Sequence, residues 1–271
     1  MKGAKLRRVI ATSTLSAIVL IALAASWISP YSYEHQFRNV PNAAPSAAHL
    51  LGTDTLGRDL FSRLLYGTRV SLLLAPAAAL LATLMAGLLG AGAALLRGVC
   101  ERAILSAADL LLALPLIFVL IALRAMLPLD VAPAVSVLAT FLLLGLLGWP
   151  SALRVVWAAT QRIRECDFYL LARASGCSPR RLILRHLFPN LRPVLLAQFW
   201  ILIPAFILAE ATLSMLGLGV MEPVPSWGSL LRGLENFTMV SANPWRLAPL
   251  VLLTIVVVCF QLVLPNIEEP S

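Results

Sequence analysis

Two carboxylates, Asp109 and Glu210, stand inside long apolar runs. A charged group at bilayer depth is costly unless it faces protein or water, so both read first as pathway or gating residues. The plain alternative for each is an interhelical hydrogen bond. Other reactive side chains do not assemble. His35, His49 and His186 are scattered, and neither H-E-x-x-H nor G-x-S-x-G is present. A membrane-embedded enzyme needs a nucleophile and a base that converge, and no histidine neighbours Asp109 or Glu210 in sequence. Cys100, Cys166, Cys177 and Cys259 lack metal-ligand spacing, so no metal site is expected, and on the topology below none lies in an outer loop, so no disulfides are expected. The only lysines are Lys2 and Lys5, which leaves no G-x-x-x-x-G-K-[ST] phosphate loop. The expectation is a chain with no catalytic residues and no cofactor of its own. Any ATP and magnesium would be bound by a different chain.

The elements that hold these residues follow from the choice of solvent. The 271 residues are 60% hydrophobic and 13% charged, with a mean hydropathy of +0.89. Soluble domains hold about 45–50% apolar and about 25% charged residues. Such a surface is stable against lipid and aggregates in water. A span of the roughly 30 Å hydrocarbon core takes about 20 helical residues. Six runs meet or approach this: Val9–Ile28, Val70–Leu96, Ala103–Leu127, Ala132–Trp149, Val194–Leu216 and Leu247–Leu264. Helix is the practical choice, because lipid offers no partner to an exposed backbone group. The expected fold class is an all-α polytopic transmembrane bundle of about six spans. The first run follows Lys2, Lys5, Arg7 and Arg8 and is longer than a signal-peptide core, so it reads as an uncleaved anchor.

The net charge of +8 does not signal nucleic acid, because the basic residues interrupt apolar runs instead of forming a stripe with interleaved aromatics. It signals topology. With the N-terminus inside, fourteen of the 21 lysines and arginines fall on the inner side, and Arg38, Arg58, Arg63, Arg69, Arg124, Arg232 and Arg246 fall outside. Both termini are then cytoplasmic. Residues 1–29 form a tail and anchor helix, 30–69 an outer or interfacial segment, 70–267 the transmembrane domain with an inner loop at 150–193, and 268–271 a tail.

Inside that loop, Gly176 suits a helix stop. Ser178 then suits an N-cap with Pro179 at the first helical position, and the second helix is expected to end near Pro189. Leu182, Ile183, His186 and Leu187 share a mostly apolar face. Two short helices outside the membrane make a shape that a partner protein grips; the simpler alternative is arginines touching anionic lipid. On the outer side, Asp54, Arg58 and Asp59 are placed to pair locally. Leu56, Leu60, Leu64 and Leu65 form a stripe suited to an interfacial helix. Gly217, Gly219, Pro223, Pro225 and Gly228 rule out a continuous helix after span five, and Trp227 reads as a headgroup anchor. Gly87, Gly90 and Gly92 suit close helix packing, and Pro76, Pro115 and Pro204 suit kinks.

The stretch Gly52-Thr-Asp54-Thr-Leu-Gly57-Arg58-Asp59 with its continuation Ser62-Arg63, and Leu216-Gly-Leu-Gly219 followed by Pro223-Val-Pro-Ser226-Trp227-Gly228, resemble the C-type permease of the oligopeptide, dipeptide and nickel ABC importers. The resemblance covers roughly Leu51 to Leu264. The inner loop is similar to the coupling loop of such importers, with Ala172, Gly176 and Pro189 on the pattern and Leu170 and Leu171 where glutamate and alanine are usual. The tail Pro265–Ser271 departs from the family pattern. The resemblance implies the type I transmembrane-domain fold and an inner-membrane location. It also implies a homologous B-type permease partner, two cytoplasmic P-loop ATPases, and a periplasmic or lipid-anchored binding protein. Ala172, Arg173, Gly176, Ser178, Pro179, Leu187, Pro189 and Asn190 would then meet the ATPase. Gly52, Thr53, Asp54, Gly57, Arg58, Asp59, Ser226, Trp227 and Gly228 would form an outer motif. The implied cargo is di- or oligopeptide. A nickel or other metal chelate is the rival within the family, and an ATP-independent transporter or channel is the rival from another class.

Overall fold

The computed structural model describes residues 2–126, 132–235, 240–241 and 243–263. Every long element among them is helical. The helices are α1 (Lys2–Leu23), α2 (Ala25–Ile28), α3 (Leu60–Leu96), α4 (Gly98–Ala113), α5 (Leu116–Ala125), α6 (Pro133–Leu147), α7 (Trp149–Glu165), α8 (Asp167–Ala174), α9 (Pro179–Arg181), α10 (Phe188–Met215), α11 (Trp227–Arg232) and α12 (Ala248–Val263). A π-helical stretch, Leu182–Leu187, joins α9 to α10, and a 3-10 turn, Pro244–Leu247, leads into α12. Among the described residues, five helical runs are long and apolar enough to cross a membrane, and the bent pair α4–α5 makes a sixth if it counts as one span.

Four of the expected spans take a different form. The third, expected as one helix over Ala103–Leu127, is two helices bent by 84°; Leu127 lies outside the described residues. The cause is local. Pro115 disfavours a helical residue before it, and Leu114 is extended at φ −94°, ψ 128°. The second span starts at Leu60, not Val70. The fourth continues past Gly148 into α7, giving an apolar run Pro133–Glu165. The fifth begins at Pro179 and runs 37 residues to Met215, so the inner helix does not end near Pro189. Proline lacks an N–H and its ring crowds the carbonyl four residues back. The π stretch relieves both, and Phe188 N–H reaches back to the Ile183 carbonyl. The sixth matches α12 and its leading turn, with Leu264 and the tail Pro265–Ser271 outside the described residues.

The chain divides into two compact units. One comprises Met1–Pro76, Ile121–Phe141 and Pro204–Ser271. Here α1 packs along α12, and α11 packs on α12. Ala11 and Ala22 of α1, Ala25 at the start of α2, and Leu253, Val256 and Phe260 of α12 are buried.

The other unit comprises Ala77–Leu120 and Leu142–Ile203. Its packing is arranged for lipid. Along α3, Ala78, Ala79, Ala82, Ala86, Ala93 and Ala94 are buried, while Leu80, Leu84 and Leu88 are 51–77% exposed. Leucine loses nothing facing lipid tails, and alanine lets helices approach closely. Gly90 is the tightest point: a Cβ there would lie 2.9 Å from the Leu153 carbonyl and 3.1 Å from Val156 Cγ1 on α7. Gly87 meets only the tip of Leu195, and Gly92 meets nothing within 4 Å, so the packing role expected for Gly92 is absent. Helix α7 answers with Trp149, Ala152, Leu153, Val156 and Thr160 on one buried face. Gly90→Val is therefore expected to lower the melting temperature of the detergent-extracted protein, at a cost of about 1–3 kcal/mol. Gly92→Ala, with open space at that position, should not lower it and is expected to raise it slightly, because alanine favours a helix interior over glycine.

Candidate functional site

In the first unit, the outer segment 30–59 is a set of turns closed by two short antiparallel bridges, Gln36 to Arg58 and Thr53 to Asp59. Helix begins only at Leu60, so Leu56 sits on an exposed turn and the expected helical stripe does not form. Gly52 (φ +70°) and Gly57 (φ +74°) lie in the left-handed region, and a Cβ on either would collide with the carbonyl of Ala43 or Phe37. These two positions require glycine. Thr53 is fully buried and ties two neighbouring strands of loop: its hydroxyl donates to the Val40 carbonyl and accepts from Ala43 N–H.

Asp54 organises the turn and the charge. Its Oδ1 accepts the N–H groups of Leu56 (2.9 Å) and Arg58 (2.8 Å), and Oδ2 accepts Arg58 Nε at 2.7 Å. Asp59 does not join this pair as expected. It caps α3, with Oδ2 accepting both Ser62 N–H and Ser62 Oγ at 2.7 Å, and it meets His49 Nδ1 at 3.0 Å. The partner that sequence reading missed is Glu222, which bridges Arg58 (2.5 Å) and Arg63 (2.9 and 3.0 Å). Arg63 is 2% exposed. Burial alone would lower Arg58, but Asp54 and Glu222 outweigh it and hold the guanidinium above its ordinary value.

A second knot lies behind the first. Glu210 is fully buried on α10, and its Oε1 accepts the hydroxyls of Ser214 (2.6 Å) and Ser226 (2.7 Å). Its Oε2 has no partner among the described residues. Ser226 also caps α11 in a reciprocal pair with Ser229. Trp227 is not the headgroup anchor expected from sequence. It is fully buried, donating its backbone N–H to Ser71 Oγ (3.2 Å) and its indole N–H to Thr68 Oγ1 (3.0 Å). Gly228 lets α11 close on α10, because a Cβ there would strike Ser214 and Ala211. The buried Arg124 holds the same loop, donating Nε–H to the Leu218 carbonyl (3.0 Å) and Nη2–H to Ser136 Oγ (2.5 Å).

In the second unit, Asp109 is half-exposed on α4 and paired with Arg154 of α7. It is therefore neutralised at a helix–helix contact, not enclosed in a bundle. Beside it, Glu101 accepts from Trp157 Nε1 (2.8 Å) and Gln161 Nε2 (3.1 Å).

The same unit carries the inner turn. Helix α8 ends in a Schellman motif: Gly176 N–H donates to the Arg173 carbonyl, and Cys177 N–H to Ala172. Gly176 has φ +78° and open space around it, so the backbone angle, not crowding, requires glycine. Ser178 occupies the N-cap position, but its side chain makes no capping bond; only its carbonyl accepts Leu182 N–H. Tyr169, Leu182 and Leu187 form a small core, with Leu95, Ile163, Ala172 and Cys177 packed on it. Leu187 thus holds the turn from within and is not a contact surface. Arg173, Gly176, Ser178, Pro179, Pro189 and Asn190 are exposed, as are Leu170 and Leu171. Asn190 lies in α10 and donates to the His186 carbonyl at 2.7 Å.

Residues 84–267 match the family described as the binding-protein-dependent transport system inner membrane component. The oligopeptide transport system permease protein OppC of Mycobacterium bovis is 34% identical over 265 residues, covering 95% of this chain and 88% of that protein. OppC of Haemophilus influenzae is 29% identical over 252 residues, covering 92% and 78%. The dipeptide transport system permease protein DppC of Bacillus subtilis is 32% identical over 231 residues, covering 85% and 70%.

Glu222 is half-exposed while Arg63 is buried, so removing the acid leaves the buried cation only the Pro223 carbonyl at 3.4 Å and Asp54 at 3.9 Å. Glu222→Ala is expected to destabilise the protein by about 2 kcal/mol, between the exposed and buried cases. Thermal unfolding of the extracted protein measures it, and Glu34→Ala, at an exposed site, serves as the unaffected control.

Proposed function

Because this chain belongs to the family of binding-protein-dependent transport system inner membrane components, we propose that it forms half of the pathway by which an ATP-driven importer carries peptides across the inner membrane. The other half is a homologous B-type permease, two P-loop ATPases work from the cytoplasm, and a periplasmic or lipid-anchored binding protein delivers the cargo. Peptide as cargo draws on the names of the oligopeptide and dipeptide relatives. The chain itself binds no ATP and catalyses nothing in this reading, and the positive-inside asymmetry supports cytoplasmic placement of both termini.

The observation that carries this reading is the inner turn. A Schellman stop, an exposed Gly176–Pro179 corner and a helix running on to Met215 make a handle continuous with a membrane-crossing element. The exposed face from Leu170 to Pro179 offers apolar and basic groups together, which suits a protein cleft better than lipid headgroups alone. ATP binding closes the ATPase pair, the handle moves with it, and the pathway changes its opening; hydrolysis resets the state. In the same reading Glu210 acts by position, tying α10 to the loop that bears Ser226.

Gly176→Val forces a β-branched residue to φ +78°, a conformation costing roughly 1–2 kcal/mol at a single residue. Peptide uptake in cells should fall by more than about tenfold, with membrane insertion and chain abundance unchanged. Uptake at the unaltered rate would contradict the handle assignment.

A further inference from the structure

The first unit contains a half-open cleft of about 330 Å³ whose charges do not balance among the described residues. Its charged walls are Arg58, Arg63, Arg232 and Arg246 against Asp54 and Glu222. The two carboxylates are consumed by Arg58 and Arg63. Arg246 is buried, and its partners are neutral: Asn42 Oδ1 at 2.7 Å and the Thr53 carbonyl at 3.3 Å. The Arg232 side chain makes no ion pair or hydrogen bond among the described residues and stands exposed at the cleft wall. Glu235, three residues on, does not line the space. The neighbouring segment 236–239 and residue 242 are Asn, Phe, Thr, Met and Ala, which bring no charge. Among the described residues, two positive charges are left over.

Leu51, Leu230 and Trp245 supply apolar wall between the arginines. Apolar walls of lower dielectric focus the field of the uncompensated guanidiniums into the cleft. A planar guanidinium offers two parallel N–H groups, the geometry that a carboxylate matches. The resident pairs also keep the surplus in place: Arg63 is held by Glu222 and cannot swing out to neutralise an incoming acid.

We infer that this cleft is a carboxylate site, with Arg232 and Arg246 as the residues that meet an acid entering from the outer side. The inference rests on the importer reading for the two sources of that acid. One is the free C-terminus or acidic side chain of a peptide cargo. The other is an aspartate or glutamate on the protein that delivers it. The two leave different traces.

The test uses the assembled complex in lipid nanodiscs, with Arg232→Gln as the variant. Arg232 is exposed and unpaired, so the variant keeps the unliganded melting temperature of the parent. Titration calorimetry compares dialanine with dialanine amide, and surface binding measures the affinity of the delivering protein encoded with the complex. A cargo source predicts that dialanine binds, its amide does not, and the variant weakens dialanine by about tenfold or more. A delivering-protein source predicts that the variant weakens that protein by a similar factor, and that a compensating acid-to-arginine change restores binding to Arg232→Glu. Arg232→Gln with unaltered affinity for both overturns the site. Whether ATPases co-purify with the unaltered chain is read separately, so loss of the importer assignment and loss of the carboxylate site are distinguishable.

Discussion

Lipid gives a polar group nothing to bond to, and the first unit of this protein is organised around that constraint. Arg63 and Glu210 lie in helices that run through apolar sequence, and each is almost completely buried. A lone ion in such a place costs several kcal/mol. Each is tied to the segment between Met215 and Trp227: Arg63 through Glu222, Glu210 through Ser226. The loop's shape is therefore the means by which the helices satisfy their own polar groups. Its glycines and prolines allow that shape, and Trp227, bonded to Thr68 and Ser71, closes it onto α3.

The same constraint explains the composition of the helices. Apolar burial drives little in lipid, because a leucine is equally content against a tail. Contact between helices depends on small residues and on polar ties. In the second unit this is the alanine face of α3, Gly90 against α7, and the bridges from α4 to α7 through Asp109–Arg154 and Glu101. The turn between α8 and α9 is built instead from a Schellman stop, a proline at a helix start, and a small apolar core under an exposed face.

Much of this was legible from residue types. Hydropathy marks every membrane-crossing run, because a spanning helix must be long and apolar. Gly176 reads as a helix stop and occupies a left-handed turn, whereas the left-handed turns at Gly52 and Gly57 emerge only from the structure. What stayed hidden depends on contacts distant in sequence or on rearranged backbone bonding. Glu222 and Arg63 are 159 residues apart, and nothing local to Glu222 announces its partner. Trp227 has the neighbours of a headgroup anchor but is enclosed by Thr68 and Ser71. Pro189 reads as a stop, yet a π stretch just before it absorbs the lost bond. Pro115 reads as a kink, where the chain turns through 84°.

The central claim is that this chain is one permease of a multi-subunit, ATP-driven complex. The most direct measurement is gentle extraction of the tagged chain from its native membrane, followed by mass spectrometry of what accompanies it. The account predicts a second, homologous multi-span permease together with P-loop ATPases in stoichiometric amount. A homo-oligomer free of any ATPase, under conditions in which other ABC complexes stay whole, would contradict it.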